Sequence, residues 1–227
     1  MVGDRSTRVA AFRGLSVHTN LEAVAIIGST ALLGRSLLEG ILIVACFAFA
    51  TGLHLACHLV VAVAFGKGID RMVLTRAGRI DYSGPPPAFI EGIIRTAAGP
   101  TMNAVCALVG YAVLATVDTQ QWPWFLLLAV RTFTNCSLIL AIINYLPAVP
   151  LDGGLILRSI LERKLGAAKA IRASVIVSTV VMFAMAVLGV WWFQPVIVYL
   201  AVVITYDNWR GQLRAANPTT ISRATGS

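Results

Sequence analysis

The chain has 227 residues, 58% of them hydrophobic and 12% charged, with a formal net charge of +8. About a quarter of the residues of a soluble domain carry charge, so this composition, with a mean hydropathy of +0.81, excludes a water-soluble globular protein and calls for lipid around the apolar runs. The lysines and arginines fall between those runs, which is the pattern of the positive-inside rule and not of a nucleic-acid-binding face.

In chain order, the stretch Met1 to Arg13 is basic and lacks a short apolar core with a small-residue cleavage site, so no cleavable signal peptide is expected. The first apolar stretch, Leu21 to Gly34, is short for a span and fits a half-span or a tilted helix. A longer one runs from Leu37 to Phe65, with Glu39 near its start and two histidines near its end. The polar segment Gly66 to Gly84 follows, with Ile69 to Tyr82 reading as two short strands around Ala77-Gly78, and then the turn-prone Pro85-Pro86-Pro87. Apolar stretches at Ile93 to Val117 and Trp122 to Leu146 are joined by a short link at Asp118 to Gln121. The Gly/Pro-marked segment Pro147 to Gly154 leads into a basic amphipathic stretch holding Arg158, Arg163, Lys164, Lys169 and Arg172. The last apolar run, Ala173 to Tyr206, is long enough for two spans, and Gln194-Pro195 is the natural break.

The cations orient these segments. Arg5, Arg8 and Arg13, then Lys67, Arg71, Arg76 and Arg79, then Arg158 to Arg172, and finally Arg210 and Arg214 mark one side, whereas the loops near Arg35, Asp118 and Gln194 carry almost none. The expectation is an all-α, polytopic transmembrane bundle of about six segments with both termini cytoplasmic and a β-hairpin-like segment near residues 69–82. Trp122, Trp124, Trp191 and Trp192 then fall at the far interface, as aromatic belts do. Residues 1–210 are expected to form one membrane-embedded domain and 211–227 a polar tail. The four cysteines, Cys46, Cys57, Cys106 and Cys136, all lie in apolar stretches with no CxxC pair, which argues against a disulfide framework.

Ionisable groups inside apolar segments are costly and need a reason. His54 and His58 are four residues apart, so a helix puts both imidazoles on one face. Such a pair can grip one zinc ion, or can be packed and hydrogen-bonded between helices. Asp152 follows two prolines and precedes Gly153-Gly154. It reads either as a metal ligand or as an N-cap of the basic helix beginning near Gly153.

These residues resemble the site-2 protease family of intramembrane zinc metalloproteases. That family carries H-E-x-x-H on one span and N-x-x-P-x-x-P-L-D-G on a later one, and the second motif is matched in full from Asn144 to Gly153. Gly99-Pro100-Thr101-Met102-Asn103 is similar to the family's G-P-x-x-N stretch, and order and spacing agree over roughly residues 14 to 165. The resemblance implies zinc ligation by His54, His58 and Asp152. It also implies supporting roles for Asn144 and Asn103 near a substrate backbone or a developing oxyanion, with an interhelical hydrogen bond as the other reading of Asn103. Transmembrane proteins or peptides would be the substrates and lipid the surroundings, with the segment at 69–82 offering a sheet edge to an extended substrate.

One position departs from the motif. The stretch is His54-Leu55-Ala56-Cys57-His58, with Leu55 where the family has its general-base glutamate. Leucine can neither take a proton from the attacking water nor hand one to the leaving amine, and loss of such a group typically costs about 10²–10⁴-fold in rate. A pseudoprotease with weak or lost hydrolysis, an active endopeptidase drawing a carboxylate from Glu39 or Glu91, and an engineered substitution at position 55 are the alternatives. Cys57 either touches the metal as a thiolate or fills a packing gap. A metal or proton transporter is the reading from another class. Against it, the polar residues gather near one membrane face, and no charge falls between Ala173 and Tyr206.

Overall fold

The computed structural model describes residues 7–12, 15–19, 34, 36–74, 79–83, 86–191 and 195–216. They divide into two compact units, Met1–Ile143 and Asn144–Ser227.

The first unit opens with strands β1 (Thr7–Phe12) and β2 (Leu15–Thr19), followed by helix α1 (Leu37–Ala64). Ser36 caps α1, its hydroxyl accepting from the Glu39 N–H at 3.2 Å. Strands β3 (Gly68–Leu74) and β4 (Arg79–Ser83) come next, then α2 (Phe89–Thr116) and α3 (Trp124–Tyr145). The prolines that precede α2 end at Pro87, and the Ala88 N–H donates to the Glu91 carboxylate at 3.3 Å to close the first turn of the helix.

The hairpin expected at 69–82 is present as β3 and β4, and it is half of a larger element. The four strands form one sheet in the order β1-β2-β3-β4. Its outer pairs are antiparallel, while β2 and β3 run parallel with Ser16 opposite Arg71 and Thr19 opposite Leu74. The N-terminal strands β1 and β2 are not among the expected elements. Leu15-Ser16-Val17-His18-Thr19 alternates apolar and polar residues, a period-2 signal. Of its two partners, β1 is a near neighbour in sequence, whereas β3 lies some fifty residues on, beyond the reach of local pattern.

Helices α1 and α2 pack together through stripes with a four-residue period. On α1 the buried residues are Gly40, Cys46, Ala50, His54, His58 and Ala62; on α2 they include Arg95, Gly99, Asn103 and Ala107. These i, i+4 ridges are built of small or polar side chains, which let backbones approach closely where lipid supplies no hydrophobic drive between helices. At the other end of α2, Gly110 lies against Thr134 of α3, where a Cβ would come within 3.0 Å of the Thr134 Cβ. Phe49 of α1 and Phe133 of α3 meet with ring centroids 5.5 Å apart.

The second unit holds α4 (Asp152–Leu165), α5 (Ala167–Trp191) and α6 (Pro195–Ala216). The break expected at Gln194-Pro195 matches the helix ends, with Pro195 as the first residue of α6, where its missing N–H costs nothing. The basic stretch is divided by Gly166, whose φ of 78° ends α4. The buried stripe of α5 again runs in steps of four through Ala170, Ser174, Ser178 and Met182.

Four of the described helices, α1, α2, α3 and α5, are long and apolar enough to cross a membrane. Their outward faces carry exposed Phe49, Val60, Leu108, Ile142, Val180 and Phe183, as lipid contact requires. The protein is an integral membrane protein on this evidence. Of the six expected segments, the one at Leu21 to Gly34 lies outside the described residues save Gly34, and α6 carries Asp207, Arg210 and Arg214 along its second half.

Candidate metal centre

In the first unit, His54 and His58 occupy successive turns of α1, and both are buried. Their rings meet edge to face with centroids 4.8 Å apart, and the two Nε2 atoms converge to 3.1 Å. The His58 Nδ1 lies 2.8 Å from the Arg95 carbonyl of α2. A carbonyl only accepts, so this Nδ1 carries the proton and the His58 Nε2 carries a lone pair. The His54 Nδ1 lies 3.2 Å from the Asn103 side-chain Nδ2.

Gly99 is the wall of this pocket. A Cβ at that position would stand 2.6 Å from the His54 Nε2 and 2.7 Å from its Cε1, and nearer still to the His58 Nε2. Only glycine lets the α2 backbone come this close to both imidazoles. Pro100 follows, buried inside the helix, and the Thr101 hydroxyl turns back to bond the Ala97 carbonyl at 2.7 Å. The G-P-x-x-N stretch thus puts a backbone wall and a buried amide, Asn103, against one histidine pair.

In the second unit, the proline segment folds into tight turns, with the Leu151 N–H donating to the Ala148 carbonyl at 2.8 Å and a cis Val149–Pro150 peptide. The Val149 backbone is held at both ends. Its N–H donates to the Ser178 hydroxyl at 2.9 Å, and its carbonyl accepts from the Asn208 amide of α6. Gly153 and Gly154 press against this segment. A Cβ on Gly153 would be 2.6 Å from the Leu146 carbonyl oxygen, and one on Gly154 would be 2.5 Å from that of Ala148. Asp152 is the first residue of α4 and half-buried. Leu151 is the N-cap, and no side-chain bond caps the helix, so the reading of Asp152 as an N-cap residue is corrected. The carboxylate still benefits from the positive end of the helix dipole. Asn144 sits one residue before the end of α3, at the start of the second unit.

His54, His58 and Asp152 can each offer one ligand atom, two imidazole nitrogens and a carboxylate oxygen, and Cys57 is not in that set. The donors fit zinc in kind. Two observations within the first unit fit a metal at the imidazole pair: the Nε2 atoms converge, and a glycine leaves room in front of them. The four cysteines are free thiols, as expected.

Glu39 and Glu91 lie well along their helices from the imidazole pair. Glu39 precedes His54 by fifteen residues of the same helix, about 22 Å along its axis. Glu91 precedes Gly99 by eight residues of α2, about 12 Å along that axis. Its carboxylate is engaged there with Arg95 at 3.2 Å and Lys67 at 3.5 Å. This ionic cluster fastens the start of α2 to the link that follows α1, and so helps fix the Arg95 carbonyl against His58.

Residues 118–188, spanning α3, the proline segment, α4 and most of α5, match the model of Peptidase family M50. A zinc metalloprotease of Methanocaldococcus jannaschii is 33% identical over 115 residues, which are 50% of this chain and 32% of that protein. The match thus spans about a third of that curated relative. The solved structure of a site-2 protease from Methanocaldococcus jannaschii is similar in fold, with a TM-score of 0.68 at 19% identity over 90% of this chain and 94% of that one. The resemblance read from the motifs is therefore borne out by family pattern, by a relative and by fold.

Proposed function

We propose that this chain, which carries the sequence pattern and the fold of the M50 site-2 proteases, is a zinc-binding intramembrane protease homologue that engages transmembrane segments and hydrolyses peptide bonds slowly or not at all. His54, His58 and Asp152 would hold the zinc ion. Bound zinc would polarise a scissile carbonyl and the attacking water. The protein's own residues would do the rest. Asn144 would hold substrate backbone, and the apolar spans would exclude bulk water. The outer edge of β4 would accept an extended substrate through main-chain hydrogen bonds. Residues 1–210 would act as one membrane-embedded domain with both termini cytoplasmic.

The observation that carries the reading of weak catalysis is Leu55, beside His54 on α1, together with the axial distances that separate Glu39 and Glu91 from the imidazoles. With no carboxylate next to the first histidine, the attacking water lacks a partner for its proton and the amine leaves without an acid. The test compares cleavage of a transmembrane reporter by the wild type, by Leu55→Glu and by Leu55→Glu with His58→Ala. Leu55→Glu is expected to raise cleavage by about 10²–10⁴-fold, and the added His58→Ala to abolish the gain. Robust, metal-dependent cleavage by the wild type would overturn the reading and point to another base.

A further inference from the structure

Three hydrogen bonds at the imidazole pair form a chain whose direction is set at one end. Because the Arg95 carbonyl only accepts, the His58 Nδ1 donates to it at 2.8 Å. A neutral His58 then has a lone pair on Nε2, which can accept from His54 Nε2–H across 3.1 Å. His54 with its proton on Nε2 has a lone pair on Nδ1, and the Asn103 Nδ2–H donates to it across 3.2 Å. Donors and acceptors match at every link. The resting chain runs from the Asn103 amide through both rings to the backbone of α2.

This arrangement is right for metal at His58 and wrong at His54. A ligating imidazole offers a lone pair, and the Nε2 of His54 carries a proton in the chain above. To ligate through Nε2, His54 must move that proton to Nδ1, which then needs an acceptor. The amide of Asn103 has one. Its Oδ1 is buried and has no hydrogen-bond partner, while the residue as a whole is 0% exposed. A half-turn of the amide about its last bond exchanges Nδ2 for Oδ1 at nearly the same place, and no other bond holds Oδ1 back.

We propose that Asn103 is a positioning residue that selects the His54 tautomer: its NH₂ stabilises the Nε2–H form without metal, and its carbonyl, after the amide turns over, stabilises the Nδ1–H form that ligates. The inference rests on the zinc-binding reading above. The step moves one proton between the two nitrogens of one neutral ring, so none is gained or lost. Partners of this kind typically change metal affinity by about 10–100-fold.

The experiment uses the full chain in detergent, with ¹⁵N-labelled histidine. Long-range ¹H–¹⁵N spectra distinguish the two tautomers. In the metal-free wild type His54 is expected to carry its proton on Nε2, and in the zinc-loaded protein on Nδ1. Asn103→Leu, close in size but unable to bond, is expected to keep Nε2–H without metal, because the His58 Nε2 still accepts that proton, and to bind zinc about 10–100-fold more weakly by chelator competition, because the Nδ1–H form has lost its acceptor. Asn103→Asp, which presents an acceptor in either sense, should favour Nδ1–H even without metal. A residue that merely packs between helices would leave the tautomer unmoved in Asn103→Asp, and that result overturns the proposal. So does Nδ1–H at His54 in the metal-free wild type. Should the wild type bind no zinc, the zinc reading falls by itself, while the metal-free tautomer of wild type and Asn103→Asp still decides the role of Asn103.

Discussion

Gly99 offers the sharpest test of the imidazole pocket, because one added methyl group meets both rings. The Cβ of Gly99→Ala would stand 2.6 Å from the His54 Nε2 and 2.7 Å from its Cε1, far inside van der Waals contact. The helix backbone of α2 cannot retreat without disturbing the whole α1–α2 stripe, so the rings must swing aside. Overpacking of this kind typically costs about 1–3 kcal/mol. If the cost falls on the metal-competent ring positions, zinc affinity should drop by about 5- to 150-fold, at about 1.4 kcal/mol per tenfold. Gly52 supplies the control. It lies on the same helix as the histidines, and a Cβ there would meet nothing within 4 Å, so Gly52→Ala should bind zinc like the wild type. The assay is competition with a zinc chelator in detergent, with helix content followed by circular dichroism. Wild-type affinity in Gly99→Ala, with the fold intact, would refute the claim that the metal sits at these Nε2 atoms.

Three further outcomes can be checked directly. Purified protein should carry about one zinc per chain, as a three-ligand site with an open position does, and metal analysis should show less after alanine substitution of His54, His58 or Asp152. Ser178→Ala removes the acceptor of the Val149 N–H, and leaving such a group unsatisfied should lower thermal stability by about 1–3 kcal/mol; an unchanged melting curve would mean that water replaces the hydroxyl. Reporter fusions after Arg79, after Lys169 and at the C-terminus should read cytoplasmic and one near Gln120 external, so that identical readings at Lys169 and Gln120 would break the orientation proposed for α3.

Much of this protein is readable without coordinates, for physical reasons that act locally. Apolar runs long enough to span lipid mark their own helices, so α1, α2, α3 and the α5–α6 break at Pro195 follow from hydropathy and proline chemistry. The four-residue spacing of His54 and His58 dictates one helix face, and the motif from Asn144 to Gly153 carries the resemblance to the site-2 proteases before any contact is seen. The β3–β4 hairpin is local too. The antiparallel β1–β2 pair is local as well, but its parallel junction with β3 is not, because β2 and β3 lie some fifty residues apart. Proximity along the chain likewise says nothing about reach. Glu39 and Glu91 are the nearest carboxylates by sequence, yet the helices set Glu39 about 22 Å from His54 and Glu91 about 12 Å from Gly99 along their axes. The N-cap reading of Asp152 depended on where α4 begins, which the backbone decides within a single residue. The tertiary structure alone decided why Gly99 is glycine and which atom of Asn103 faces His54. Both follow from two helices packed closely enough for one backbone to touch the other's side chains, a distance that sequence spacing does not encode.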